Sequence, residues 1–151
     1  MPTRHAVESF TAERSLAIVG VSRSGKKFGN TILKELTGKG YTLYPVHPEA
    51  ASIDGHQAYP HLSNLPAPVG GVIVVVPPAQ AVQVVRDAHA AGITRVWLQQ
   101  GAGSPEATRF CEERGMTAID GECILMFTNP TAAVHRFHKW VWKVLGKLPS
   151  P

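Results

Sequence analysis

The fold is decided by the segment Ser15-Leu-Ala-Ile-Val-Gly20-Val-Ser-Arg-Ser-Gly25-Lys-Lys-Phe-Gly29. An apolar run at residues 16–19 ends abruptly in a loop that contains three glycines, two lysines and an arginine. A helical pattern follows over residues 31–39. A strand, a glycine loop and a helix in this order can hold a phosphate with backbone N–H groups and the helix N-terminus. The segment therefore predicts an anion-binding loop at the start of an α/β unit.

The rest of the chain repeats the alternation of strand and helix. Apolar runs predict strands at residues 16–19, 42–46, 72–76, 95–98 and 117–119. Helical patterns cover residues 31–39, 79–91 and 105–114, and a short helix is expected around 62–65. This order predicts a Rossmann-like, doubly wound α/β fold: a mainly parallel five-stranded sheet with helices on both faces. A C-terminal helix over residues 131–145 follows Asn129-Pro130.

Length and composition indicate a single domain, residues 1–151, with a core of ordinary size. No apolar run is long enough to span a membrane, and residues 1–10 lack the apolar centre of a signal peptide. We expect a cytoplasmic protein, and its two cysteines do not form a disulfide framework. The net charge of +4 favours an anionic partner. Because the cations are scattered, a small nucleotide fits better than a nucleic acid.

The first loop is close to two phosphate-binding motifs and matches neither. Gly20-x-x-x-x-Gly25-Lys26-Lys27 is a Walker A pattern except at its last position, where Lys27 replaces the Ser or Thr that holds magnesium. No strand ends in an aspartate that would serve as the second magnesium ligand. The loop also misses the dinucleotide motif, because Ser22 stands where the second glycine belongs. Hydrolysis of a magnesium nucleotide is therefore not expected.

The residues after the second strand argue against ordinary NAD binding. In dinucleotide folds an acidic residue at this point bonds the adenine ribose. Here the chain reads Tyr-Pro-Val-His-Pro over residues 44–48, and the first carboxylate is Glu49. A neutral or cationic His47, with the two loop lysines nearby, suits the phosphorylated ribose of NADP or of coenzyme A.

Two further strand-end loops complete the predicted crevice. Pro77-Pro78 follows the third strand and would form a rigid apolar wall, or would only end the strand before a helix. Gln99-Gln100-Gly101 follows the fourth strand and offers amides to the amides of an extended ligand.

These loops together resemble a known family. The shared segments read Ile-Val-Gly-Val-Ser at 18–22, Lys-Lys-Phe-Gly at 26–29, Lys-Gly-Tyr-Thr-Leu-Tyr-Pro-Val-His-Pro at 39–48, Val-Pro-Pro at 76–78 and Val-Trp-Leu-Gln-Gln-Gly at 96–101. In this order they resemble the small bacterial coenzyme A-binding proteins of the YccU type. Those proteins are similar to the nucleotide-binding domain of the succinyl-CoA synthetase α subunit. The resemblance runs over about residues 15–125.

The resemblance implies coenzyme A as the ligand and assigns residues to its parts. The phosphates would be held by Gly20, Val21, Ser22 and Lys26 or Lys27. The adenine–ribose end would be lined by Pro45, Val46, His47 and Pro48; members of the family often carry Asn in place of His47. One wall would consist of Val76, Pro77 and Pro78, and Gln99 and Gly101 would lie toward the pantetheine arm.

The sequence does not predict an enzyme. The family's small members are standalone binding domains, and we find no nucleophile motif around any of the seven histidines. The alternatives are an NADP-dependent enzyme, an acyl-CoA-handling enzyme that uses Cys123, or a nucleotide-responsive regulatory module. For Cys123 two further alternatives remain: a buried small side chain, or a partner in a mixed disulfide with the coenzyme A thiol.

The C-terminal helix carries the remaining hypotheses. It offers an apolar face for packing on the sheet, for a homodimer or for a partner protein. His135 and His138 share a side of this helix, but with Cys123 they are a weak metal pattern, and no metal is expected.

Overall fold

A computed structural model describes residues 3–128. The helices are α1 (Arg4–Ala12), α2 (Phe28–Gly38), α3 (Pro78–Ala90) and α4 (Pro105–Glu113). The strands are β1 (Ser15–Val19), β2 (Thr42–Val46), β3 (Ser52–Ile53), β4 (His56–Gln57), β5 (Gly71–Val74), β6 (Arg95–Gln99) and β7 (Thr117–Glu122). Single 3-10 turns lie at Leu62–Asn64 and Ile124–Met126.

The main sheet has five strands in the order β2-β1-β5-β6-β7, and all its neighbours are parallel. The chain moves outward from β1 to β2 and then crosses back to place β5 on the other side of β1. Strands are thus added in one direction from β1 and in the opposite direction from β5. Open α/β sheets bind ligands at the point between two such strands. The predicted Rossmann-like α/β fold is confirmed.

Alternate residues of the strands supply two cores. Leu16, Ile18 and Ile73 point to the face that α1 and α2 cover. Ala17, Val72 and Val74 point to the opposite face, under α3 and α4. Because both faces are covered, the central strands are apolar along their whole length, as expected for parallel strands.

Trp97 is the largest fully buried side chain and joins β6 to α1 and β7. Its ring packs edge-on against Phe10 of α1, with 5.3 Å between the ring centres. Its indole N–H donates to the backbone oxygen of Glu122 at 2.9 Å. The sequence pattern did not predict α1, because only Val7 and Phe10 of this short helix are buried.

The boundaries differ from prediction at two loops of the crevice. Strand β5 ends at Val74 instead of residue 76, although the Val75 N–H still donates to the oxygen of Val19 at 2.8 Å. Pro77 has no N–H with which to extend the ladder. Helix α2 starts at Phe28 instead of residue 31, which brings its N-terminus directly against the glycine loop.

The C-terminal end of the outer edge of β2 is covered by a short segment of chain. The His47 N–H donates to the oxygen of Tyr59 at 2.9 Å, and the Tyr59 N–H donates to the oxygen of Pro45 at 3.0 Å. The small hairpin formed by β3 and β4 precedes this segment and was not predicted.

No helix within residues 3–128 is long and apolar enough to cross a bilayer. The predicted helix at residues 131–145, with His135, His138 and the proposed dimer or partner surface, lies outside the described residues.

Candidate functional site

A groove of about 380 Å³ opens at the carboxyl edge of the sheet, above the ends of β1, β5 and β6. It brings together five of the residues that the sequence assigned to the ligand: Gly20, Lys27, Val76, Pro77 and Gly101. Phe28, Gly29, Val75, Gln100 and Ala102 complete its lining. Three separate strand-end loops therefore meet at the switch point of the sheet, where the fold places a ligand.

Two glycines allow the floor of this groove to pack backbone against backbone. Gly20 has φ +117, and a Cβ there would lie 2.6 Å from the carbonyl carbon of Val75. A Cβ at Gly29 would lie 3.0 Å from the carbonyl carbon of Gly20. The first turn of α2 thus rests directly on the end of β1, and only glycine permits this approach.

The N-terminus of α2 lies at the groove, since Lys27, Phe28 and Gly29 belong to its lining. Lys27 occupies the N-cap position, and its side chain makes no capping hydrogen bond. The first turn of a helix has N–H groups without partners inside the helix, and its dipole favours an anion. Lys26 and Lys27 are both exposed beside this turn, which adds positive charge. The arrangement suits a phosphate or diphosphate.

A buried asparagine holds the glycine loop in shape. Asn30 is 3% exposed. Its amide oxygen accepts from the Ser22 N–H at 2.8 Å, and its amide nitrogen donates to the Ser22 carbonyl at 2.9 Å. The same nitrogen donates to a carboxylate oxygen of Asp54 at 2.8 Å. Ser22 therefore serves the loop through its backbone, and its hydroxyl bonds Ser24 at 2.8 Å.

The side chain of His47 holds the backbone of the loop after β2. Its Nδ1 accepts from the backbone N–H groups of Glu49 and Ala50, at 3.1 and 3.0 Å. Nδ1 therefore serves the backbone of this loop as an acceptor, and Nε2 is the ring nitrogen left for other partners. An asparagine side-chain oxygen would occupy nearly the same place and accept the same two bonds. An asparagine could therefore replace His47 without loss of these two bonds.

The structure gives a direct test of this role. We expect His47→Asn to keep the free energy of unfolding within about 0.5 kcal/mol of the original protein, because both acceptor bonds remain. His47→Leu should lose about 1 kcal/mol, as removal of a helix cap does. Urea unfolding of the two variants would measure the difference. Equal losses in Asn and Leu variants would contradict the capping role.

The predicted apolar wall is formed by Val76 and Pro77, together with Phe28 from the opposite side of the groove. Pro78 is exposed and is the first residue of α3, where its missing N–H costs nothing. Val21, Pro45 and Val46 are buried, so they can meet a ligand only through their backbone. Pro48 is exposed at the end of the β2 loop.

The amide that faces the groove is Gln100, not Gln99. The sequence places the Gln99 amide toward a ligand, whereas its side chain is 2% exposed and accepts from the Ile124 N–H at 3.0 Å. Strand β6 is one residue longer than predicted, so Gln99 still belongs to the sheet and Gln100 begins the loop. Gly101 has φ +92 and turns the chain along the groove.

Cys123 is not placed for thiol chemistry. It is 1% exposed, and burial raises the pKa of its thiol, although a hydrogen bond to Gln99 partly opposes this. A buried thiol with a raised pKa is a poor nucleophile and is not accessible to a disulfide. Of the two alternatives for Cys123, the structure therefore favours the buried small side chain. Burial also raises the pKa of Cys111, to about 11.

Within residues 3–128, no three His, Cys, Asp or Glu side chains come close enough to hold a metal ion. The weak metal pattern included His135 and His138, which this part of the chain does not contain.

Comparison with known proteins identifies the family. The model of the CoA binding domain matches residues 14–129, which include every loop of the groove. The chain belongs to the CoA-binding domain family. The sequence-based assignment to coenzyme A-binding proteins is confirmed at this level.

The relatives of this CoA-binding domain are of two kinds. The first kind is small. A conserved hypothetical protein from Pyrococcus furiosus is 40% identical, with a TM-score of 0.70 over 74% of this chain and 96% of that one. The uncharacterized protein YneT of Bacillus subtilis is 26% identical over 78% of this chain and 87% of its own length.

The second kind is large and contains the domain as one part. An ADP-forming acetate–CoA ligase of Archaeoglobus fulgidus is 26% identical over 78% of this chain, which spans only 18% of the ligase. An apo dinucleotide-forming acetyl-coenzyme A synthetase of Candidatus Korarchaeum cryptofilum is 28% identical, with a TM-score of 0.62. The matched region covers 70% of this chain and 25% of the synthetase.

Sequence reasoning missed three residues of the site: Phe28, Asn30 and Asp54. Phe28 directly follows the predicted Lys27 and was left out because the helix was expected to start at residue 31. Asn30 and Asp54 lie 24 positions apart and meet through the hairpin of β3 and β4. Within its own segment neither of these two shows a recognisable signal.

Proposed function

We propose that this protein binds coenzyme A at the carboxyl edge of its sheet and catalyses no reaction on it. The observation that carries the proposal is the contact of the α2 N-terminus with Gly20, beside the groove that Val76, Pro77 and Gly101 line. Membership of the CoA-binding domain family supplies the ligand.

The residues of the groove fit the chemical parts of coenzyme A. Its diphosphate would lie on the first-turn N–H groups of α2, with Lys27 and Lys26 balancing its charge. No magnesium ligand is needed, since the two lysines and the helix dipole supply the positive charge. The pantetheine arm would run along Phe28, Val76 and Pro77 toward the amide of Gln100. The adenosine end would lie at the loop of His47.

The lining of the groove supports binding without catalysis. Lys27 is the titratable side chain among its residues, and the others are apolar, glycine or amide. General acid–base catalysis needs a positioned group near the reacting atoms, and nucleophilic catalysis needs an activated nucleophile. Cys123, the cysteine that follows the last strand of the sheet, is buried, and burial raises the pKa of its thiol.

The test is a thermal-shift comparison of coenzyme A, acetyl-CoA, NAD, NADP and ATP, followed by calorimetry. A ligand that binds only the native state raises its stability by mass action. We expect stabilisation by coenzyme A and acetyl-CoA. Stabilisation by NADP alone would replace the proposal with the NADP-dependent alternative.

The role of the two loop lysines can be tested with a double variant and a matched control. Lys26→Ala combined with Lys27→Ala should weaken coenzyme A binding about tenfold or more, the effect of losing charge-assisted contacts. Lys34→Ala combined with Arg109→Ala removes the same charge from exposed positions of α2 and α4 and should change affinity little. If both double variants lose affinity equally, the lysines act only through net charge.

A further inference from the structure

An ion pair joins two of the loops at the carboxyl edge. Arg23, in the glycine loop after β1, lies 3.6 Å from the carboxylate of Glu49, in the loop after β2. Both side chains are largely exposed, at 63% and 71%. Neither is needed to fill the core, so the pair owes its position to the two loops that carry it.

Both ends of the pair stand on braced backbone. Arg23 lies between Ser22 and Ser24, and the Ser24 N–H donates to the Ser22 hydroxyl at 3.1 Å. The Asn30 side chain fixes the Ser22 backbone on both its N–H and its carbonyl. Glu49 follows His47, whose Nδ1 accepts from the Glu49 N–H. The separation of the two charged residues is therefore set by the fold.

The Arg23–Glu49 pair lies where folds of this class contact the ribose of a nucleotide. In folds of this class the ribose of a nucleotide lies at the end of the second parallel strand. A carboxylate there accepts from a free ribose hydroxyl, whereas an arginine there accommodates a phosphate on the ribose. This chain has one of each, and they are paired with each other.

A phosphate on the ribose binds Arg23 more strongly than the carboxylate of Glu49 does. An exposed ion pair contributes little to stability, in the range of 0–1 kcal/mol. A phosphate monoester carries nearly two negative charges and offers three acceptor oxygens, which match the fork of a guanidinium. Arg23 can exchange the carboxylate for the phosphate without disturbing the core.

We propose that Arg23 and Glu49 form an exchangeable selector for ligands with a phosphate monoester on the ribose. Arg23 binds that phosphate, and Glu49 holds Arg23 in place until the phosphate arrives. This rests on the proposed binding of coenzyme A and names the part of the ligand that is read. The role passes from His47, which the sequence suggested, because the Nδ1 of His47 is occupied by two backbone N–H groups.

The two charges have opposite effects on affinity. Removing Arg23 removes the phosphate contact and leaves Glu49 to repel the phosphate. Removing the charge of Glu49 frees Arg23 and ends that repulsion. A role confined to holding the loops together would instead make both substitutions weaken binding.

The experiment is calorimetry with coenzyme A and with 3′-dephospho-coenzyme A, which differ only in the ribose phosphate. The original protein should prefer coenzyme A about tenfold or more. Arg23→Gln should lower affinity for coenzyme A until the two ligands bind about equally. Glu49→Gln should raise affinity for coenzyme A roughly two- to fivefold, with no such gain for the dephospho form. Arg109→Gln, an exposed charge on α4, is the matched control and should leave the ratio unchanged.

The outcomes separate this inference from the proposed function. If the original protein binds both ligands equally well, the selector is overturned and coenzyme A binding stands. The selector alone is also overturned if Arg23→Gln lowers affinity for both ligands equally. The same holds if Glu49→Gln binds coenzyme A more weakly than the original protein does. If neither ligand binds the original protein, both proposals fall.

Discussion

Gly29→Ala is expected to lower the free energy of unfolding by about 3 kcal/mol or more and to abolish coenzyme A binding. The backbone of Gly29 has ordinary helical geometry, so the cost is steric. The added methyl group would press on the carbonyl of Gly20, and neither backbone can retreat, since Gly20 in turn lies against Val75. Relief requires α2 to move away from β1, which opens the phosphate site.

The same helix contains its own control. Gly38 is exposed at the end of α2, and a Cβ there meets nothing within 4 Å. Gly38→Ala should therefore raise stability by about 0.5–1 kcal/mol, the gain from better helix propensity and a less flexible unfolded chain. Urea unfolding and calorimetry would be run on both variants. A Gly29→Ala protein as stable as Gly38→Ala would show that α2 does not rest on Gly20 as described.

Trp97→Ala should lower the free energy of unfolding by about 3–5 kcal/mol. The indole is fully buried between Phe10 and Phe127, at ring distances of 5.3 and 5.8 Å. Its removal leaves a cavity under α1 and leaves the oxygen of Glu122 without its indole donor. A loss of this size is a large fraction of the free energy of unfolding of an ordinary domain.

A graded variant separates packing from the hydrogen bond. Trp97→Phe keeps a ring against Phe10 but lacks the indole N–H, so we expect a smaller loss, of about 1–3 kcal/mol. Denaturant unfolding followed by circular dichroism would rank the three proteins. A loss below 1 kcal/mol in Trp97→Ala would contradict the central position of this side chain.

The elements that the sequence predicted well are those with strong local signals. All five predicted strands begin within one residue of the observed start, because apolar runs mark where they begin. Pro105 and Ser104 predicted the start of α4 correctly, and Ser104 does accept from the Ala107 N–H. The glycine loop was placed at the correct edge because parallel strands end together.

The parts that could not be predicted depend on contacts distant in the chain. α1 is helical because Phe10 reaches Trp97, 87 positions later in the numbering. In the sequence Asn30 looks like an ordinary helical residue, and only its hydrogen bonds to Ser22 and Asp54 in the folded chain reveal its role. For Gln99 and Gln100, a single residue of strand length decided which amide faced the groove. Such choices follow from tertiary packing, which overrides local preference.

The covering of β2 by Tyr59 also bears on the behaviour of the protein at high concentration. A bare outer strand is a template on which further copies can add their own strands and aggregate. Here Tyr59 bonds the carbonyl of Pro45 and the N–H of His47, and Pro45 has no N–H to offer. The C-terminal end of this edge is therefore protected from strand addition. A domain protected in this way can be carried alone or joined to larger chains without a neighbour to shield that edge.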